Sequence, residues 1–172
     1  LYGLGQTVGI ADTGLDRGFT SPSNLHDDFE NGTGGSRVTI LIDRVGDGAD
    51  DVRSGHGTHV AGSVLGNGDL SGSNPASNYF PSTCFAGIAP KANLVFQAIE
   101  NNATGSLSGI PGDLNVLFAQ AKNFGASLHT NSWGASVYSY YTSNSEEVDQ
   151  YMWNNPDSVS YTHLTLPTNR EV

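Results

Sequence analysis

Short apolar runs, each ended by a turn, alternate with amphipathic runs along this chain. A short apolar run that is rich in β-branched residues and bounded by turn residues is typical of a buried strand. The sequence therefore predicts strands at residues 7–11 (TVGIA), 37–42 (RVTILI), 92–99 (ANLVFQAI) and 127–132 (SLHTNS).

The amphipathic runs predict three helices, two of them between these strands and one after the last. The first covers about residues 57–65, and the second covers residues 113–125, where apolar side chains recur at helical spacing before a glycine stop. The third covers residues 143–153 and begins with Ser143 and Glu146 at the spacing of a capping box.

This order of elements predicts an α/β fold with a mostly parallel sheet and crossover helices on both faces. In such open sheets, functional groups collect where the strands end at their carboxyl side. Asp12 follows the first predicted strand and Ser132 ends the fourth, so we expect both at one edge of the sheet. Residues 67–85, rich in Gly, Ser, Asn and Pro, are interpreted as a surface insertion. No internal repeat and no linker divides the chain.

Composition and charge narrow the classes of function. The 172 residues are enough for one domain or for part of a larger one. The net charge of −10 argues against nucleic-acid binding, which needs a basic surface. No apolar run approaches the roughly 18 residues that span a membrane, so we expect no membrane partner. The single cysteine, Cys84, excludes an internal disulfide; we expect it to be packed or bridged to a segment outside this chain.

Two histidines stand among glycines in SGHGTHVAGSVLGNG, residues 54–68, where the first helix begins. Histidines at this position have three possible interpretations: a metal site, a catalytic base, or a helix start whose histidines form ordinary hydrogen bonds. Zinc needs three or four ligands, and HGTH lacks the glutamate of the H-E-x-x-H motif, so no residue is assigned to a metal. A buried carboxylate orients one ring nitrogen of a catalytic histidine. Asp12 is the candidate for His56, although an aspartate in ADTG also forms turns with its own backbone.

Four segments together resemble the subtilisin family of serine endopeptidases. They are VGIADTGLD, GHGTHVAGSVLGNG, GIAPKANLVFQAI and HTNSWGA, in the family's order and rough spacing, and HTNSWG is similar to its alkaline KP-43-like branch. The resemblance implies a subtilisin-like three-layer fold, truncated here. Residues 1–157 would then be a partial peptidase catalytic domain.

The resemblance also implies roles for individual residues. Asp12 matches the aspartate that orients the histidine, and His56 matches the general base, whereas His59 is expected to pack or hydrogen-bond structurally. Ser132, Trp133 and Gly134 match the strand that pairs with the substrate backbone, so Ser132 is not the nucleophile.

The family implies further properties of the protein. It implies protein or peptide substrates, a monomer, a secreted location and no cofactor for catalysis. Structural calcium is common in the family; Asp27 and Asp28 are candidate ligands, but a solvated acidic turn is the favoured interpretation.

Two motifs of the family do not occur in these 172 residues: the A-G-N loop of the oxyanion asparagine and the G-T-S-M-A turn of the nucleophile. We therefore expect a truncated protease gene product that is inactive as it stands. The chain opens almost directly into a strand, so we also expect its true N-terminus to be missing. The alternatives are a non-catalytic pseudoprotease or peptide-binding module, and a structural α/β domain with accidental motifs.

The last residues depart from the family pattern, which continues with a short apolar strand and then the A-G-N loop. Instead, residues 158–172 resemble translated sequencing-adapter sequence, and we expect them to be a non-native tail without designed packing. The alternation in YTHLTL leaves an edge strand as the other interpretation.

Overall fold

Five strands and three helices make up the fold in the computed structural model, which describes residues 2–162, except for the side chains of residues 161 and 162. All four predicted strands and all three predicted helices are present, with boundaries shifted by one or two residues. The strands are β1 (Thr7–Asp12), β2 (Val38–Asp43), β3 (Asn93–Ala98), β4 (Leu128–Asn131) and β5 (Val159–Thr162); the helices are α1 (His56–Leu65), α2 (Leu114–Asn123) and α3 (Ser143–Asn154).

The strands form one sheet in the order β2-β3-β1-β4-β5, and every neighbouring pair is parallel. β1 is the central strand, and its last residue, Asp12, is level with Ala98 at the end of β3. On the other side of β1, Ala11 is level with Asn131, the last residue of β4. The carboxyl ends of three neighbouring strands thus meet at one edge, as the alternating pattern predicted.

Helices cover both faces of the sheet, which makes the fold three-layered. Alternate residues of a strand face opposite sides. Val8 and Ile10 of β1 pack in one cluster with Ala61 and Leu65 of α1. Ala11 faces the other side and packs with Leu117 of α2. α3 packs outside α2, where its Tyr151 joins α2 residues Leu114 and Phe118 in a further buried cluster.

The third helix is capped differently from the prediction. Its N-cap is Thr142, whose backbone is extended, and the capping box pairs Thr142 with Ser145. The predicted box of Ser143 and Glu146 is therefore wrong by one residue, because Ser143 is already the first helical residue. Spacing alone did not distinguish the two boxes, since each pairs a hydroxyl residue with a polar residue three positions later.

The predicted boundary of the tail falls just before β5. The four residues of β5 pair in parallel with β4, with Leu128 level with Val159. The tail assignment for residues 158–172 stays a prediction, and its part from 163 to 172 lies outside the described residues. Among the described residues, no helix is both long enough and apolar enough to cross a membrane.

The predicted surface insertion at residues 67–85 is anchored at its start. The buried amide of Asn67 donates hydrogen bonds to the backbone carbonyls of Asp27 and Glu30, and its backbone carbonyl accepts one from the hydroxyl of Ser73. Two 3-10 turns, Asp69–Ser71 and Pro75–Ser77, follow within it.

Candidate active site

Asp12 and His56 lie together at the carboxyl edge of the sheet. The Nδ1 atom of His56 is 2.6 Å from the Oδ1 atom of Asp12. The aspartate side chain is 2% exposed, whereas the histidine side chain is 49% exposed. A buried carboxylate thus holds one ring nitrogen, and much of the ring faces solvent. This is the geometry that a histidine needs to exchange protons on its other nitrogen.

The two oxygens of the Asp12 carboxylate have different surroundings. Oδ1 accepts a second hydrogen bond from the backbone N–H of Thr13, at 2.8 Å. Oδ2 is buried and has no hydrogen-bond partner among residues 2–162. The polar contacts described for the carboxylate therefore converge on the oxygen that faces the histidine.

Glycines let α1 enter the site closely. His56 is the first residue of α1, and the preceding Gly55 has a left-handed backbone with φ of 68°. A Cβ atom at Gly57 would lie only 2.4 Å from the backbone oxygen of Gly14, so only glycine fits there. The helix start is thereby pressed against the turn that follows Asp12. Helix N–H groups disfavour a cation at this position, and the adjacent carboxylate offsets that effect.

His59 does not behave as the sequence predicted. Its side chain is exposed, and no side-chain hydrogen bond joins it to another described residue. The expectation that His59 hydrogen-bonds structurally is wrong for residues 2–162, and its exposed side chain lines a shallow pocket together with residues 84–87. The two histidines of HGTH thus have unlike surroundings: His56 has a charged partner and His59 faces solvent.

A cleft of about 970 Å³ opens beside His56. Ser132, Trp133 and Gly134 line it, directly after the end of β4. Within the described part of the chain, their backbone N–H and C=O groups form no hydrogen bonds. Among residues 2–162 the segment thus has no backbone partner, which is what an edge that pairs with an added strand requires.

The side chain of Trp133 ties this segment to the central strand, a contact that the sequence did not indicate. Its Nε1–H donates a 2.9 Å hydrogen bond to the carbonyl of Ala11, the residue before Asp12. Trp133 also packs against Leu117 and Ile99, which are buried. The same side chain thus fixes the cleft wall relative to the aspartate.

The opposite wall of the cleft comes from the start of α3 and the loop before it. Tyr141 donates a 2.7 Å hydrogen bond to the Oδ2 atom of Asp149, and both residues line the cleft. This hydrogen bond is the main cause of the raised pKa of Tyr141. Apolar side chains also line the cleft, among them Leu107, Ile110 and Val148.

Glu100 brings a further carboxyl group to this edge, two residues after β3. Burial is the main cause of its raised pKa, and the negative charges of Asp51 and Asp12 add to the effect, while Arg53 opposes it. The sequence did not single out this residue, since nothing in the run AIENN marks a functional acid.

The candidate calcium ligands lie away from this cleft. Asp27 and Asp28 begin a 3-10 turn that ends at Phe29, and the ring of His26 accepts a hydrogen bond from the backbone N–H of Asp28. In residues 2–162, no group of three or more His, Cys, Asp or Glu side chains is arranged to hold a metal ion. Calcium binding stays a prediction without an assigned ligand set.

Cys84 is free and partly exposed.

Comparisons with known proteins show which proteins this chain is similar to. The chain is similar to "Serine protease/ABC transporter B family protein tagD" of Dictyostelium discoideum, at 31% identity over 92% of this chain and 9% of that protein. It is also similar to "Subtilisin-like protease 1" of Trichophyton rubrum, at 30% identity over 88% of this chain and 25% of that protein. The chain therefore spans a quarter or less of these relatives.

A solved structure has a similar fold. The CspB protease of Clostridium perfringens superposes with a TM-score of 0.65 at 18% sequence identity, over 94% of this chain and 36% of that one. The model of the subtilase family, Peptidase_S8, matches residues 3–162, which is nearly the whole described chain. This chain belongs to the subtilase family of proteases.

Proposed function

We propose that this chain supplies the aspartate and the histidine of a serine endopeptidase that hydrolyses peptide bonds with a Ser-His-Asp triad. The 2.6 Å contact between a buried Asp12 and a half-exposed His56 carries the proposal. Family membership supports it, since the two residues match the family's catalytic motifs.

In the proposed mechanism, His56 acts as general base and then as general acid. Asp12 holds the Nδ1–H of the ring, so that Nε2 is free to take the proton of a serine hydroxyl. The imidazolium that forms is stabilised by the adjacent carboxylate, and its proton then passes to the leaving amine. The 172 residues contain neither G-T-S-M-A nor A-G-N, so the proposal assigns the nucleophile and the oxyanion asparagine to none of them.

The proposed substrate is a polypeptide that lies extended in the cleft. Ser132, Trp133 and Gly134 would hydrogen-bond its backbone through N–H and C=O groups that have no partner within residues 2–162, as in strand addition. Such pairing recognises the backbone of the substrate and not its side chains, which suits an enzyme that cuts many proteins. No cofactor takes part in these steps.

The comparison of His56→Ala with His59→Ala in the natural protein that carries this chain tests the proposal. Peptide hydrolysis should fall by several orders of magnitude in the first variant and stay unchanged in the second, because His59 is exposed and outside the cleft. Both histidines lie on α1, so His59→Ala controls for the loss of an imidazole from this helix. Equal losses in the two variants would refute the assignment of the base.

The isolated 172-residue chain provides a second test. We expect it to leave protein substrates intact and to remain unlabelled by fluorophosphonate probes, because it contains no serine in the nucleophile motif. If the natural protein also fails to cut any peptide yet binds peptides in the cleft, the pseudoprotease alternative replaces the protease. We also propose that the protein is secreted and monomeric, which immunodetection in culture medium and light scattering would test.

A further inference from the structure

A second carboxylate, Asp51, lies on the opposite side of the turn from the Asp12–His56 pair. Its two oxygens bind two different parts of the site. Oδ1 accepts a 2.9 Å hydrogen bond from the hydroxyl of Thr13, the residue after Asp12. Oδ2 accepts from both the backbone N–H and the hydroxyl of Thr58, each at 2.8 Å.

The hydroxyl of Thr13 extends this contact to the helix. While it donates to Asp51, it accepts a 2.8 Å hydrogen bond from the backbone N–H of Gly57, the residue after His56. Two N–H groups of the first turn of α1, those of Gly57 and Thr58, are therefore satisfied by this one cluster. Such groups lack partners within their own helix, so a carboxylate at this place stabilises the helix start.

The cluster also holds the loop that carries Asp51. The hydroxyl of Thr58 accepts a 2.8 Å hydrogen bond from the backbone N–H of Asp16, and the backbone N–H of Asp51 donates to the carbonyl of Asp16 at 3.0 Å. Three segments thus meet at one carboxylate: the loop before α1, α1 itself, and the turn after β1, which is 38 residues away in sequence. None of these contacts involves Asp12 or His56 directly.

We infer that Asp51 is a positioning residue, which sets the distance between Asp12 and His56 by binding Thr13 and Thr58, their neighbours in the chain. The inference rests on the proposed function, because it gives Asp51 a role in holding two members of the proposed triad. Thr13 follows Asp12 directly, and Thr58 lies two residues after His56, so a shift of either neighbour moves one member of the pair. A displacement of about 1 Å in such a pair costs on the order of 100-fold in rate.

Three variants of the natural protein separate this role from a general effect on folding. Asp51→Asn replaces one acceptor oxygen by an N–H donor, which cannot serve both threonines. Thr13→Val removes the relaying hydroxyl at nearly constant shape and without a change of charge, and Thr13→Ser restores it. Asp50→Asn is the matched control: Asp50 is the adjacent carboxylate, and its side chain accepts from Asn102 outside the site.

We expect kcat/KM to fall about 10- to 100-fold in Asp51→Asn and in Thr13→Val, mainly through kcat, and to return largely in Thr13→Ser. The acid limb of the pH profile should shift to lower pH in the two impaired variants, because a looser Asp12 contact stabilises the imidazolium less. Asp50→Asn should leave both quantities unchanged. If Asp51→Asn and Thr13→Val lower only the melting temperature, with rate and pH profile intact, Asp51 is structural and the inference fails.

A spectroscopic measurement on the natural protein does not depend on hydrolysis. The Nδ1 proton of His56, held in a short hydrogen bond to Asp12, should give a low-field NMR resonance. That resonance should be lost or shifted in Asp51→Asn and Thr13→Val and retained in Asp50→Asn; its persistence in all variants would overturn the inference. Loss of activity in Asp12→Asn together with an intact Asp51→Asn would reject the positioning role alone. An inactive wild-type protein with the expected resonance changes would reject the proposed function alone.

Discussion

Two histidines adjoin the central strand, and their surroundings differ in almost every respect. His56 begins a helix at the edge of the sheet, half-exposed, with the carboxylate of Asp12 on its Nδ1 atom. His129 lies within β4 and is buried, its Nε2 atom 2.9 Å from the neutral amide oxygen of Gln97. The ring of Phe118 packs edge-on against it, 5.1 Å between centroids.

The difference shows that the partner and the solvent, more than the imidazole itself, decide what a histidine can do. Burial lowers the pKa of His129 to about 3, so this ring stays neutral at every ordinary pH. A ring that cannot take a proton is unsuited to acid–base chemistry and serves packing instead. His56 has a buried carboxylate on one side and solvent on the other, which is the environment that the proposed general base requires.

Removing the carboxylate of Asp12 from beside His56 should give the largest effect. In the natural protein, Asp12→Asn should lower kcat by about 10⁴-fold, because an amide next to Nδ1 favours the wrong ring tautomer while keeping the shape. Steady-state hydrolysis of a peptide substrate measures the loss. A decrease of less than tenfold, with the fold intact by circular dichroism, would show that His56 does not depend on this carboxylate.

Changing the packing beneath His56 should give an intermediate effect. Gly57→Ala would place a Cβ atom 2.4 Å from the backbone oxygen of Gly14, so it should cost about 1–3 kcal/mol in the free energy of unfolding and also displace His56. Gly62→Ala in the same helix is the control, since no atom lies within 4 Å of its added Cβ atom. That variant should gain about 0.5–1 kcal/mol from helix propensity. Urea unfolding of the two variants measures both; equal stabilities would contradict the close approach of α1.

The titration of His129 should give the smallest effect, which is on the free energy of unfolding. Below pH 6.5 the unfolded chain protonates His129, whereas the folded chain does not until about pH 3, so acid favours unfolding across this window. Between pH 6.5 and 5.5 the free energy of unfolding should fall by about 1 kcal/mol on this account. His129→Gln keeps a donor toward Gln97 and should lose that part of the pH dependence. Parallel curves for the two proteins would show that His129 titrates normally when folded.

Much of the architecture was predictable because local patterns carried it. The apolar runs at β1 and β3 indicated strands that are buried on both faces of the sheet, and the helical spacing in α2 indicated a helix with one buried face. The N-cap of α3 was predicted one residue late, because two overlapping capping patterns differ only in backbone conformation at Thr142.

The sequence by itself also determined which residues are candidates for chemistry. The motifs DTG and HGTH indicate Asp12 and His56 as candidates from the sequence alone. Only the tertiary structure decided that the two side chains meet at 2.6 Å, because their contact joins residues 44 positions apart and depends on how α1 packs on the sheet.

Tertiary structure alone also decided the parts that leave no local pattern. The exposure of His59, the hydrogen bond from Trp133 to Ala11 and the cluster around Asp51 each depend on which segments are adjacent in space. A periodic pattern in the sequence reflects which face of a single element is buried. A hydrogen bond between two loops depends on the positions of both loops, and those positions are determined only when the whole sheet and its helices have packed.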